Sequence, residues 1–172
     1  MAKILSTKIL SEGSFERLIA AGHQCSHYDV LSVEPLPFAA PKYDIYICSS
    51  QNAVKALSYY WKNQDTKHLL NTDWYCVGEK TTELLKNLGI KVVATANSSN
   101  ELIETFLTKT KLEGKQKLWF TGVRKTKETE EYIRSKQADA IDVYLTTPNL
   151  KKVSDSFDAI LFYSPQGIEY FL

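Results

Sequence analysis

A chain of 172 residues with 44% apolar side chains has room for a core of ordinary size, in one domain or two small ones. Twenty-one Lys and Arg against twenty Asp and Glu leave a formal charge of +1, which excludes a global basic field for nucleic acid or an anionic membrane, so any anion binding has to be local. No stretch has the length and apolarity of a signal peptide or a membrane span, so a cytoplasmic protein is expected, and the widely spaced Cys25, Cys48 and Cys76 fit reduced structural thiols.

In chain order, Lys3-Ile-Leu-Ser-Thr7 predicts a first strand, and Phe15, Leu18 and Ile19 at helical spacing predict a helix over 12–21, stopped by Gly22. A short strand over 23–28 follows. The segment 30–38 mixes alternating apolar residues with prolines, three of them by Pro41, and reads as a crossover between domains. From Asp44 a regular alternation begins: a strand to Ser49, a helix over 52–63, a strand over 74–77, a helix over 81–88 ended by Gly89, and a strand over 90–94. It continues with a helix over 100–110, a strand over 118–121, a helix over 125–136 and a strand over 140–145. A second extended linker after Tyr144 leads to a last strand from Asp158 and a helix over 166–172.

This βαβα order implies an α/β fold of two doubly wound, mostly parallel-sheet domains joined by a two-stranded linker. The expected outer domain is discontinuous, residues 1–34 and 151–172, around an inserted domain of 41–142, with linkers at 35–40 and 143–150. The outer sheet is expected to be incomplete, because a helix over 166–172 would leave Ile168 and Phe171 poorly covered.

The chain also repeats itself. Asp44-Ile-Tyr-Ile-Cys-Ser-Ser50-Gln-Asn-Ala-Val54 and Asp158-Ala-Ile-Leu-Phe-Tyr-Ser164-Pro-Gln-Gly-Ile168 match at a constant offset of 114 positions. Each is a strand running into the start of a helix, where unpaired backbone N–H groups form a cradle for an anion. The pair suggests two similar lobes converging on one multiply acidic ligand. A plain helix cap is as good a reading of Ser50 taken alone.

In open parallel sheets ligands sit beyond the carboxyl ends of the strands, and each such junction supplies polar groups. Ser49-Ser50-Gln51-Asn52 leads into one helix. Gly78-Glu-Lys-Thr81 permits a tight turn before another, and resembles a phosphate loop only in fragment. Thr121-Gly122-Val-Arg124-Lys125 joins a flexible glycine to two cations suited to acidic groups, and Lys8 holds the corresponding place after the first strand. Tyr144 closes a strand where its phenol would face a cleft. His23, Cys25 and His27 alternate but have no partner motif at ligand spacing, so no metal site is expected, and His68 in a polar stretch reads as surface. There is no nucleophile elbow, no paired-carboxylate signature and no dinucleotide glycine motif, which leaves binding and shaping of a polyanion as the chemistry best supported.

Taken together, Ile4-Leu-Ser-Thr-Lys8, Pro35, the segment 44–54, Val77-Gly-Glu-Lys-Thr-Thr-Glu-Leu84, Asn97-Ser-Ser-Asn-Glu-Leu102, Tyr144 and the segment 158–168 resemble the uroporphyrinogen-III synthase family along the whole chain. The resemblance implies a hydro-lyase of tetrapyrrole (heme) biosynthesis that cyclises hydroxymethylbilane with inversion of ring D and loss of water, without cofactor or metal. It implies Tyr144 as the catalytic group assisting departure of the hydroxyl. Lys8, Ser50, Asn52, Thr81, Gly122, Arg124, Ser164 and Gln166 would then be substrate-binding residues. It further implies a monomer at full length, with hydroxymethylbilane synthase as substrate donor and no nucleic-acid or membrane partner. Lys8 stands where the family typically has Arg, Ser49 and Tyr163 stand where Thr is common, and further βα units of the family are not found before Leu172. The alternative expectation is a non-catalytic two-domain anion-binding module or a degenerate relative of the synthase.

Overall fold

The computed structural model describes residues 1–61, 67–149, 153 and 155–172. The chain forms an α/β fold with two mostly parallel sheets, of three and six strands. It divides into two compact units, Met1–Ser32 with Thr146–Leu172, and Val33–Leu145. The expected helix end at Asn63, and positions 150–152 and 154 of the expected second linker and outer domain, lie outside the described residues.

In the first unit, β1 (Lys3–Ser6) lies between β2 (Gln24–His27) and β9 (Ala159–Leu161), parallel to both, with Ile4 opposite Cys25 on one side and Ala159 on the other. Helix α1 (Glu12–Ala20) follows β1, and α7 (Pro165–Phe171) follows β9. Ile4, Leu5 and Val30 are buried, whereas Ile168 is 41% exposed and Phe171 packs edge-on against Phe162 at 5.4 Å.

The larger sheet runs β3 (Leu31–Pro35), β8 (Asp139–Pro148), β7 (Lys117–Gly122), β4 (Ile45–Cys48), β5 (Asp73–Val77), β6 (Val92–Ala96). Its central strands β4, β5 and β7 are buried on both faces because helices cover both, and their alternate residues feed two separate cores. Tyr46, Cys48, Trp74, Cys76, Leu118 and Phe120 point to one side, with Ala53, Val54 and Leu57 of α2 (Gln51–Trp61) and Leu85 of α4 (Glu79–Asn87). Ile45, Ile47, Tyr75 and Trp119 point to the other, with Leu102 of α5 (Ser99–Leu102) and Tyr132 of α6 (Lys127–Arg134).

The long-range repeat has a structural meaning at its acidic end. Asp44 accepts from the Gln116 N–H at 2.9 Å and donates its own N–H to the Gln116 carbonyl at 3.1 Å; Asp158 does the same with Lys3, at 2.7 and 2.8 Å. Each carboxylate thus ties the start of its strand to the start of the parallel neighbour by a charge-assisted hydrogen bond. The serines also correspond: Ser50 Oγ accepts from Asn52 N–H at 3.1 Å and Ser164 Oγ from Gly167 N–H at 3.0 Å, each capping the helix it precedes. The copies differ at the next residue, since Pro165 has no N–H to offer.

Several expected elements move. The helix expected over 100–110 is α5, then a π turn at Ile103–Leu107 and a 3-10 turn at Thr110–Leu112. Leu102 and Leu107 are both buried although five residues apart, and the wider π turn brings that spacing onto one face. The strand expected over 90–94 starts later because the Ile90 N–H still bonds the Leu85 carbonyl at the end of α4. A further short helix, α3 (Lys67–Leu70), carries His68 inward: the residue is half-buried, its ring lies 6.2 Å from that of Tyr46, and Nε2 has no hydrogen-bond partner among the described residues. The expectation of a surface histidine is therefore corrected; Leu69, fully buried, draws the turn down. Cys25, Cys48 and Cys76 are free thiols, and burial pushes Cys48 up to about 12, consistent with an inert side chain.

Tyr132 is 4% exposed in the core around Trp119, and its hydroxyl also lacks a partner among the described residues. A buried phenol without a partner carries an unreturned desolvation cost of about 1–3 kcal/mol. Tyr132→Phe is expected to leave stability unchanged or raise it by about 1 kcal/mol in urea denaturation; a loss beyond about 1 kcal/mol would mean that the hydroxyl is satisfied in solution.

Candidate functional site

The carboxyl ends of β4 and β7 meet the middle of β8 at a cavity of about 240 Å³ in the larger unit; Tyr144, expected to close its strand, lies within it, because β8 runs on to Pro148. Ser49 and Ser50 contribute from the end of β4, and Thr121, Gly122, Arg124 and Lys125 from the end of β7. Tyr144 contributes from β8.

The decisive local feature is an irregularity in the β7–β8 ladder. Thr121 faces Asp142, but the next residue, Gly122, faces Tyr144, so Val143 is the extra residue of a bulge. The bulge aims Tyr144 at the backbone of Gly122. A β-carbon on Gly122 would lie 2.5 Å from Tyr144 Cζ and 2.9 Å from its hydroxyl oxygen, so only glycine lets the ring lie there. The Tyr144 hydroxyl then donates to Ser50 Oγ at 3.2 Å, and Ser50 Oγ accepts the Asn52 N–H as cap of α2. A phenol, a hydroxyl and a helix start are thereby joined across three elements.

Lys125 holds the β7–α6 loop. Its Nζ contacts Asp142 Oδ1 at 2.5 Å and donates to the Gly122 carbonyl at 3.1 Å and the Val123 carbonyl at 3.4 Å. Asp142 Oδ1 also accepts from Thr121 Oγ1 at 2.7 Å. The helix expected over 125–136 starts at Lys127 instead, because Thr126 Oγ1 accepts the Thr129 N–H as its cap. Lys125 is therefore left in the loop, able to fold back. Its charge is met by Asp142, so the pair of cations expected at this turn is not equivalent: Arg124 is exposed at the cavity and Lys125 is turned inward.

Of the expected site residues, Ser50, Gly122, Arg124 and Tyr144 line this cavity. Asn52 sits in the first turn of α2, half-buried. Thr81 is 4% exposed in α4, where Gly78 at φ 83° makes the preceding turn and accepts the Thr81 N–H at its carbonyl. Lys8, Ser164 and Gln166 belong to the other unit: Lys8 is exposed after β1, Ser164 caps α7, and Gln166 Nε2 donates to the Tyr170 hydroxyl at 3.3 Å. Sequence reasoning missed Asp142 and Thr129, the second of which also lines the cavity. A carboxylate in the apolar run Ala140-Ile-Asp-Val-Tyr144 was the available signal for Asp142. Among the described residues no cluster of His, Cys, Asp and Glu could hold a metal ion, and no helix is long and apolar enough to cross a membrane.

The family model for uroporphyrinogen-III synthase HemD matches residues 15–172. The chain belongs to the uroporphyrinogen-III synthase family. Among solved structures it is similar to uroporphyrinogen-III synthetase from Helicobacter pylori, with a TM-score of 0.71 at 17% identity over 99% of this chain and 76% of that one. It is also similar to a mutant uroporphyrinogen III synthase from Thermus thermophilus, with a TM-score of 0.58 at 12% identity over 87% of this chain and 64% of that one. The wild-type Thermus synthase gives 0.51 at 15% identity, over 87% and 63%. At these identities the likeness is one of fold, and the chain spans about three quarters or less of each synthase's length. No curated protein sequence matches it significantly.

Proposed function

We propose that the protein acts on hydroxymethylbilane as a hydro-lyase of tetrapyrrole biosynthesis, cyclising it with inversion of ring D to uroporphyrinogen III and releasing water. The observation that carries this reading, beside family membership, is Tyr144 held by the bulge against Gly122 with its hydroxyl on Ser50. In the proposed reaction the terminal hydroxymethyl oxygen leaves as water with the proton of Tyr144. The azafulvenium cation left behind is attacked by the substituted carbon of ring D; in the spiro intermediate the bond from that carbon to its original methylene bridge breaks and re-forms at the ring's free α-carbon, which inverts the ring. The proton lost when ring D regains aromaticity restores the phenol. No external oxidant or cofactor is needed to balance these steps.

The Tyr144 hydroxyl donates to Ser50 before substrate arrives, so on this reading the proton switches acceptor when the leaving oxygen takes the place opposite Ser50. Arg124 and the N–H groups opening α2 would hold substrate carboxylates, a role suited to a planar cation and a helix start. The cation formed on the substrate is unstable in water, so orientation rather than nucleophilic attack supplies the rate, and a rigid bulge serves that purpose. Asn52, Thr81, Lys8, Ser164 and Gln166 are carried as further substrate contacts on family resemblance, with hydroxymethylbilane synthase as donor.

The test is a coupled assay in which hydroxymethylbilane is generated in place and the products are separated by isomer. Type III product above the type I product of spontaneous closure is expected. Tyr144→Phe should slow its formation by about 10²-fold or more, the usual contribution of a general acid. An isomer ratio equal to that of the protein-free blank would reject the enzyme, and an unchanged rate for Tyr144→Phe would leave the phenol as a packing group.

A further inference from the structure

A larger hollow, about 610 Å³, lies at the other ends of the strands, where β7 and β8 begin. It falls within the size range of about 300–1,000 Å³ usual for small-molecule sites. Its walls carry Lys109, Lys115, Lys117 and Lys136 against two carboxylates, Glu113 and Asp139. Asp139 is already engaged, accepting from the Tyr43 hydroxyl at 2.5 Å. In a chain with a formal charge of only +1, this is a marked local excess of positive charge.

Two of the lysines are unusual. Lys117 opens β7 and is only 8% exposed, yet its ammonium group has one acceptor among the described residues, the Lys115 carbonyl at 3.3 Å. An ammonium has three protons to place, and burial disfavours its charge, which lowers its pKa from the ordinary lysine value. An anion entering the hollow would supply acceptors for the remaining protons. Lys136, the residue after the Ser135 cap of α6, has φ 57°, a left-handed conformation in which glycine is the usual residue at this helix position. A cation therefore stands at the rim where the backbone alone would favour no side chain.

We infer that this hollow binds a small oxyanion bearing two or more negative charges, with Lys117 at its floor and Lys136 at its rim. The shared chemistry is that of phosphate and of compact polycarboxylates, and the inference stands independently of the proposed synthase reaction.

Titration of the full chain with inorganic phosphate, with citrate, and with sodium chloride at matched ionic strength tests it, read by the side-chain Cε–Hε resonances of the lysines. Saturable shifts at Lys117 and Lys136 with phosphate or citrate but not chloride are expected; which of the two anions binds more tightly identifies the ligand chemistry. Lys117→Met should weaken binding on the order of ten-fold or more, as loss of a hydrogen bond to a charged group does. Lys136→Gln, an exposed site and safe for folding, should weaken it about two- to five-fold, and Lys86→Gln on the outer face of α4 should not change it. Linear shifts spread over all lysines, equal effects of Lys136→Gln and Lys86→Gln, or saturation seen at Lys125 instead of Lys117 would each overturn the assignment. The last outcome would place the anion in the Tyr144 cavity and leave the proposed function standing.

Discussion

Gly122→Ala is expected to lower turnover about 10²-fold while leaving the fold intact, which would make a single methyl group the most damaging small change in the cavity. The added carbon would sit 2.5 Å from Tyr144 Cζ, closer than real β-carbons approach other atoms, so the ring must move. The backbone itself is no obstacle, because Gly122 does not occupy the left-handed region where other residues are strained. The cost therefore falls on Tyr144. Displaced by about 1 Å, the phenol loses its alignment with Ser50 Oγ and with any oxygen it is to protonate, and misplacement of that size is worth about two orders of magnitude in rate. Local overpacking should cost only about 1–3 kcal/mol of stability, which a melting curve would report separately. Measured in the isomer-resolved assay, kcat should fall much more than KM rises. Turnover equal to that of the unmodified chain would show that the position of the Tyr144 ring does not matter to the chemistry.

The parts of this arrangement differ in how far they can be read from the chain alone. The strands at Ile45–Cys48 and Lys117–Gly122 are unbroken apolar runs set between helical periods, and that pattern dictates a parallel sheet covered on both faces. The junctions after them are equally readable, since Ser50, Gly122 and Arg124 stand just where strands give way to loops, and they do line one cavity. The bulge is not readable. It belongs to the pairing of β7 with β8, two segments each ordinary alone, and it sets one ring over a glycine distant in the chain. The same holds for Lys125, whose sequence neighbours advertise a cation for substrate while its partner Asp142 lies 17 residues further on. The π turn at Ile103–Leu107 escapes for a related reason: a five-residue spacing of buried leucines violates the helical period by which such a segment is read. The repeat at 44 and 158 is visible as a pattern, but only the structure shows that its aspartates tie neighbouring strands together.

Lys125→Met tests whether the loop that carries Gly122 and Arg124 is held by a single buried cation. The side chain of Lys125 is 16% exposed and that of Asp142 is 37% exposed, so their contact lies between a surface ion pair and a fully buried one. Removing one partner of a buried pair costs about 3–5 kcal/mol, and the access of water to Asp142 reduces that to about 2 kcal/mol here. Methionine keeps the bulk of the stem but leaves the Gly122 and Val123 carbonyls without their ammonium donor and Asp142 with only the Thr121 hydroxyl among the described residues. Two results are expected together: a lower urea midpoint at unchanged slope, and weaker substrate binding as the Gly122 loop loses its fixed position. The paired change Lys125→Met with Asp142→Leu separates charge from packing, because deleting both partners removes the uncompensated carboxylate and should restore about half of the lost stability. If the double substitution is as destabilised as the sum of the two single ones, the ion pair contributes nothing of its own and the loop is held by the carbonyl contacts alone.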